Sequence, residues 1–228
     1  YNRIPLMAEA FADLETPLSL YLKLAHSKDG GKYSFLLESV VGGERFGRYS
    51  FIGLPARTLV RATGFGAGVK TEVVTDGVVV ETSTANPLDF ISDYQKRFKV
   101  ALRPGLPRFC GGLAGYFGYD AVRYIEKKLA ASCPPDSLGC PDILLLQCEE
   151  LAVIDNLSGK LAGGDFTQVQ VGQRIKKRYT ESPLSLYRAL RSLNPSPYMY
   201  YYHFGDFHVV GASPEILVRQ EQVTVEGK

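Results

Sequence analysis

The chain has 228 residues, of which 45% are hydrophobic and 22% are charged, and its formal net charge is +2. This composition is ordinary for a soluble globular protein of one large domain or two small ones. The basic residues are scattered, no apolar run reaches transmembrane length and no signal peptide opens the chain, which gives no indication of a nucleic-acid or membrane partner. We therefore expect a cytoplasmic protein.

Cysteine and histidine spacing gives no support for a metal centre. None of the four cysteines forms a C-x-x-C pair, so we expect reduced, partly buried thiols rather than zinc or redox motifs. His203 and His208 are five residues apart on opposite arms of a predicted hairpin. A cross-strand metal pair is conceivable there, but no acidic or sulfur partner lies nearby in the sequence.

The first predicted element is a helix that begins at a capping pair, Thr16-Pro17. Four apolar residues then recur with helical spacing and form one face: Leu18, Tyr21, Leu22 and Ala25. The same sequence, Pro-Leu-Ser-Leu-Tyr after a hydroxyl residue, occurs again from Ser182-Pro183. It predicts a second helix, to about residue 193, with the same start.

A predicted strand over residues 33–39 ends in Glu38 and Ser39. A carboxylate and a hydroxyl at the end of a strand suit an ammonium or amide ligand. They equally suit a helix cap or a neighbouring arginine, and Arg48 follows soon after. An internal pair between Glu38 and Arg48 therefore stays open beside the ligand interpretation.

The middle of the chain favours antiparallel strands with helices between them. Strands are expected over residues 58–62 and 70–75, and Asp76-Gly77 predicts a two-residue hairpin to a strand over 78–82. Asn86-Pro87 begins a helix to about residue 98. The glycine-rich stretch 110–120 matches no phosphate loop. It favours close backbone approach in a strand over a ligand cradle.

The second half continues with a helix over residues 120–129 and one long central strand over 142–155, with a bulge near Glu149. Further strands are expected over residues 166–175 and 222–225. An aromatic hairpin follows the second capped helix, with arms over 199–204 and 207–212 and a turn at Gly205-Asp206. It leads to Pro214 and Glu215. Glu215 is either solvated or aimed at a ligand, since proline fixes its own φ.

Several stretches together resemble the anthranilate synthase large subunits of the chorismate-utilising family. They occur in the family's order and cover nearly the whole chain: Leu36-Leu-Glu-Ser39, Gly47-Arg-Tyr-Ser-Phe-Ile-Gly53, Gly111-Gly-Leu-Ala-Gly-Tyr-Phe-Gly-Tyr-Asp120, Gln168-Val-Gln-Val-Gly-Gln-Arg174, Asn194-Pro-Ser-Pro-Tyr-Met199 and Ala212-Ser-Pro-Glu215. The resemblance implies an α/β fold, with two facing and mostly antiparallel sheets flanked by helices.

The resemblance also implies a reaction and its partners. Chorismate plus ammonia would give anthranilate and pyruvate with Mg²⁺, and the ammonia would come from glutamine through a separate amidotransferase subunit in a hetero-oligomer. L-tryptophan would inhibit by feedback. By the same resemblance, Glu215 would be the general acid that helps the ring hydroxyl of chorismate leave.

The family's tryptophan pocket maps onto two stretches of this chain. The residues that the resemblance implies are Glu38, Ser39, Arg48, Pro197, Tyr198 and Met199. Tyrosine, proline and methionine offer apolar surface to an indole ring. Glu38 would meet the amino group and Arg48 the carboxylate.

The chain departs from the family in two places. The family has a long segment near residues 161–164 that this sequence lacks, and its metal-binding glutamates lie beyond Lys228. We expect a tryptophan-site region over residues 1–160 and the start of the chorismate-binding region over 164–228. We also expect no metal ligands within these residues and no turnover by them alone. The alternatives are a non-catalytic, amino-acid-binding regulatory module and a sister enzyme, aminodeoxychorismate synthase.

Overall fold

The computed structural model describes residues 1–8, 15–27, 29–39, 49–102, 104, 109–130, 132, 133, 136, 138–155 and 177–213. The strands in these residues are, in chain order, β1 Ser34–Glu38, β2 Tyr49–Gly53, β3 Thr58–Thr63, β4 Lys70–Thr75, β5 Val78–Ser83, β6 Gly112–Phe117, β7 Ile143–Cys148, β8 Leu151–Asp155, β9 Tyr198–His203 and β10 His208–Ser213. They form two five-stranded sheets, in the orders β10-β9-β1-β2-β8 and β5-β4-β3-β7-β6. Every neighbouring pair is antiparallel.

Helices flank the two sheets. The α-helices are α1 Pro17–Tyr21, α2 Pro87–Lys96, α3 Lys127–Ala130 and α4 Pro183–Leu193. Leu22–His26 continues α1 as a π-helical turn, and three short 3₁₀ segments cover Asp29–Gly31, Gly66–Gly68 and Tyr119–Tyr124. The predicted fold class, an α/β arrangement of two antiparallel sheets with flanking helices, is confirmed.

Three apolar clusters bind these layers together. The cluster between the sheets joins Phe35 and Phe204 from one side to Leu144 and Leu146 from the other. The outer face of the first sheet packs on α1 and α4, and the outer face of the second sheet packs on α2 and the segment that contains Tyr124. Side chains alternate along a strand, so β1 directs Phe35 to the other sheet and Leu36 to the helices.

The expected single strand over residues 142–155 is wrong. It is two strands in different sheets, because β7 pairs with β3 and β6 whereas β8 pairs with β2. The chain crosses from one sheet to the other at Glu149 and Glu150, where the Glu150 carbonyl accepts a hydrogen bond from the Leu54 amide at 3.1 Å. The polar pair Glu149-Glu150 that interrupts the apolar residues here is compatible with a bulge in one strand or with a change of sheet.

Two predicted helices differ in detail from the observed ones. Tyr21 and Ala25 are fully buried as expected, but Leu22 is 39% exposed, and Leu22–His26 forms a π-helical turn instead of a continuation of the α-helix. The helix expected over residues 120–129 is a 3₁₀ segment followed by the single turn of α3.

Both predicted hairpins are confirmed. Asp76 and Gly77 have φ values of 50° and 81°, the left-handed pair that a two-residue turn between β4 and β5 requires. The second hairpin joins β9 and β10, with His203 opposite His208. β9 also pairs with β1, so strands from both proposed regions, 1–160 and 164–228, share one sheet. The boundary between those regions stays a prediction.

The glycine-rich stretch forms β6, and Gly115 explains why it is glycine-rich. A Cβ atom on Gly115 would lie 2.9 Å from the Cα of Leu145, on the adjacent strand β7. This is the close backbone approach expected from the sequence. None of the four cysteines forms a disulfide. In the described residues, no helix is long and apolar enough to cross a membrane.

Candidate functional site

The carboxyl end of β1 meets the beginning of β9 and the end of β10. Glu38 is directly opposite Met199, and Met199 is directly opposite Ala212. All three lie on the sheet face that packs on the helices, because the neighbouring row of Leu36, Tyr201 and Val210 belongs to that cluster. Glu38 and Met199 therefore lie side by side under α4, and only 1% of Met199 is exposed.

Two residues of α4 hold the Glu38 carboxylate. The Tyr187 hydroxyl donates to Oε2 at 2.8 Å, and Arg191 donates from Nε to Oε2 and from Nη2 to Oε1, each at 2.8 Å. The Glu38 side chain is 2% exposed, whereas that of Arg191 is 33% exposed. The arrangement is a bidentate ion pair with a third hydrogen bond, which is what keeps a buried carboxylate stable.

Electrostatics reinforce this arrangement. The hydrogen bond to Glu38 raises the pKa of Arg191, so the guanidinium stays charged. Burial raises the pKa of the Tyr187 hydroxyl, and the adjacent Glu38 carboxylate raises it further. Tyr187 therefore remains a neutral donor throughout the physiological pH range.

The other tryptophan-site candidates lie around this corner. Ser39 directly follows β1, and its Oγ is buried without a hydrogen-bond partner in the described part of the chain. Tyr198 begins β9 opposite Ser213, on the other face of the sheet from Met199. Pro197 precedes it and is half-buried. Arg48 and Glu215 lie outside the described residues.

Sequence reasoning missed three residues at this corner: Tyr187, Arg191 and Ser196. The first two lie four positions apart on α4, on its buried side, and such a polar pair within an apolar helical stripe is a usable signal. Ser196 is 4% exposed, and its hydroxyl donates to the Ser213 carbonyl and accepts from the Tyr198 amide at 3.3 Å. It fixes the proline-rich entry to β9 against β10. No local pattern indicates that role.

Two cavities in the described part of the chain lie next to the sheets. The first, of about 300 Å³, lies between the two sheets and is lined mainly by apolar and aromatic side chains, including Leu37, Tyr116, Tyr200 and Tyr202. It is on the face of β1 opposite Glu38. A second cavity of about 440 Å³ lies beside α2, where Arg97 and Glu81 already form an ion pair.

The paired histidines lie at the far end of the same sheet face. The ring centroids of His203 and His208 are 4.1 Å apart. Burial, together with the positive potential of His208, His26 and Lys32, lowers the pKa of His203 to about 4. The Gly205 amide donates to His203 Nδ1 at 3.1 Å. Across the described residues, no group of three or more His, Cys, Asp or Glu side chains is arranged to hold a metal ion.

Comparison with known proteins shows what the second half of the chain is similar to. Residues 152–228 match the family described as chorismate binding enzymes. That match includes β8, α4 and the hairpin of β9 and β10.

Similarity to individual proteins gives a more specific result than the family match. The chain is similar to anthranilate synthase component 1 of Neisseria meningitidis serogroup B, with 44% identity across 97% of this chain and 57% of the relative. The protein of the same name from Neisseria gonorrhoeae is also 44% identical over the same shares. That from Pseudomonas putida is 42% identical over 97% of this chain and 58% of the relative. The resemblance stated from the sequence is therefore confirmed.

The chain spans somewhat more than half the length of these relatives, 57% for the first. The aligned span of 290 positions exceeds the 228 residues of this chain, so the relatives carry residues within that span that have no counterpart here. From the sequence, such a gap is expected near residues 161–164, which lie outside the described part of the structure.

Proposed function

We propose that this chain acts as the large subunit of an anthranilate synthase, which converts chorismate and ammonia to anthranilate and pyruvate. The observation that carries the proposal is that 44% identity to a protein of that name extends over 97% of this chain. The matching stretches at the end of β1, the entry to β9 and the end of β10 all converge on one corner of the first sheet.

Glu215 is the proposed general acid. Hydroxide is a poor leaving group, so elimination of the ring hydroxyl of chorismate requires a positioned proton donor. Glu215 follows Ser213, the last residue of β10, by two positions, and Pro214 restricts the backbone between them. A carboxyl group performs this role at neutral pH if its surroundings raise its pKa.

L-tryptophan is the proposed feedback inhibitor, bound by Glu38, Ser39, Arg48, Pro197, Tyr198 and Met199. Two observations support this location: Glu38 and Met199 are directly opposite each other, and the buried Ser39 Oγ lacks a partner in the described residues. A hydroxyl that is buried without a partner is destabilising unless a ligand or water supplies one.

A magnesium ion and a second subunit complete the proposal. Magnesium would neutralise the substrate's carboxylate charge. The described residues contain no cluster of ligands suited to hold it. The relatives are named component 1. By analogy, we propose that a glutamine amidotransferase subunit supplies ammonia to this chain.

The test is anthranilate formation from chorismate, an ammonium salt and Mg²⁺ by the intact gene product that contains this sequence. Glu215→Gln removes the transferable proton, so kcat should fall at least about a hundredfold. The matched control is Glu126→Gln at an exposed glutamate, which should retain full activity. Near-normal turnover by Glu215→Gln would contradict the general-acid role. Tryptophan binding by the intact product without any turnover would favour the regulatory-module alternative.

A further inference from the structure

Arg191 connects the two halves of the proposed tryptophan pocket. It lies in the last turn of α4, three residues before Asn194, where the Asn-Pro-Ser-Pro-Tyr-Met stretch begins. Its guanidinium is bonded to Glu38, which is 153 positions away in sequence and ends β1. The ion pair therefore links the end of β1, with Ser39, to the segment that supplies Pro197, Tyr198 and Met199.

The bonds from Tyr187 and Arg191 determine how many lone pairs of the Glu38 carboxylate remain for a ligand. A carboxylate has about four lone-pair directions, two on each oxygen. Oε2 accepts from Tyr187 and from Arg191 Nε, and Oε1 accepts from Arg191 Nη2. One direction on Oε1 therefore remains that no described residue fills. Glu38 can accept one N–H from an ammonium group without losing any of these bonds.

We infer that Tyr187 and Arg191 are positioning residues of the effector site, and that they orient Glu38 so that its remaining acceptor receives the ammonium group of tryptophan. The inference rests on the proposed tryptophan site. It adds two residues of α4 that do not themselves touch the ligand. A preoriented acceptor increases affinity because less ordering is needed when the ligand binds.

The same geometry couples α4 to tryptophan binding. A ligand that bonds to Glu38 adds to a network that includes the last turn of α4, so binding stabilises the contact between α4 and β1. That contact lies directly before the hairpin of β9 and β10, which leads to Glu215. Tryptophan affinity and the stability of the α4–β1 contact are therefore linked, and a change in one alters the other.

The chain contains a matched control for Tyr187. Tyr21 in α1 is also fully buried and also meets Tyr201 edge-on, with ring centroids at 5.6 Å against 5.9 Å for Tyr187. Its hydroxyl bonds to Ser34 Oγ at 2.8 Å, on the same strand and face as Glu38. Tyr21→Phe and Tyr187→Phe each remove one buried hydroxyl between a helix and β1, but only the second removes a bond to Glu38.

The experiment measures the Kd for L-tryptophan by calorimetry for the intact gene product that contains this sequence and for its variants. Tyr187→Phe and Arg191→Lys should each weaken binding about tenfold, whereas Tyr21→Phe should leave the Kd within about twofold. Thermal unfolding without ligand should show similar losses of stability for the two Tyr→Phe variants. A double variant of Glu38→Gln and Tyr187→Phe should bind no more weakly than Glu38→Gln alone.

Two outcomes overturn the inference, and they are distinguishable. If the wild-type chain binds no tryptophan, the proposed effector site fails and the inference fails with it. If the wild type binds but Tyr187→Phe and Tyr21→Phe have the same Kd, or if Arg191→Lys binds normally, the site stands and the positioning role is wrong. An unfolded Arg191→Lys variant leaves Tyr187→Phe and the double variant to decide.

Discussion

A buried carboxylate is stable only when donors replace the water that it has lost. Among the described residues, Glu38 has three such donors, from two residues of α4 that lie roughly 150 positions further along the chain. From the sequence, Arg48 is a candidate partner because it lies only ten positions away, and it stays a prediction because Arg48 lies outside the described residues. The sequence did not indicate Tyr187 and Arg191, since the helix that covers a strand is set by topology.

His203 provides a test at the level of a single titratable group. Its pKa in the folded chain is about 4, against an ordinary value of 6.5, mainly because the ring is buried and further because of the positive potential from His208, His26 and Lys32. Between these two pH values the unfolded chain binds more protons than the folded chain. Stability should therefore be full above about pH 6.5 and should decrease as the pH falls towards 4.

His203→Gln should reduce this acid sensitivity. The free energy of unfolding is measured by urea titration at pH 7 and pH 5 for the wild type and the variant. The difference between the two pH values should be smaller for the variant, and the pH 7 value serves as the internal control for any loss of packing. An unchanged difference would show that other groups cause the acid response.

At the level of elements, α1 and α4 begin with the same sequence and the same N-terminal cap. The Thr16 and Ser182 side chains each accept from the backbone amide three residues later, with proline at the first helical position. The tyrosine that ends each Pro-Leu-Ser-Leu-Tyr stretch, Tyr21 or Tyr187, packs against Tyr201. The shared sequence thus predicts the caps, and because both helices pack on the same face of the first sheet, their tyrosines meet the same ring.

The pairing of β6 with β7 depends on a glycine. Gly115→Ala would press a methyl group against the backbone of Leu144 and Leu145, neither of which has a flexible end that can move away. We expect a loss of about 1–3 kcal/mol in the free energy of unfolding, the usual cost of overpacking. Gly68→Ala is the control, since an added methyl group meets nothing within 4 Å there. Equal stability of the two variants in urea would argue against this contact.

At the scale of the whole molecule, ligand binding should stabilise the fold because the proposed tryptophan pocket combines β1 with the entry to β9. Unfolding separates these two segments and destroys the pocket. At a hundredfold excess over its Kd, L-tryptophan should raise the Tm of the chain by roughly 5 °C or more. D-tryptophan is the control, since its ammonium and carboxylate groups cannot both reach the same partners. No difference between the enantiomers would contradict a specific site.

The sequence alone determined the local elements and the fold class of this protein. Its turn at Asp76-Gly77, its helix caps and its aromatic hairpin depend on interactions within a few residues, and these act in the same way in any fold. The two-sheet architecture followed from a family resemblance carried by several motifs in order. Such motifs preserve a topology that periodicity alone does not encode.

Only the tertiary structure decided where the chain changes sheets and which groups meet across layers. The crossing at Glu149, the partners of Glu38 and the role of Ser196 all involve segments far apart in sequence. Over residues 142–155, the polar pair Glu149-Glu150 between two apolar stretches fits one bulged strand or two strands equally well. The physical reason is that burial selects apolar residues without specifying against which sheet they pack, and a buried charge selects a partner by position in space rather than in sequence.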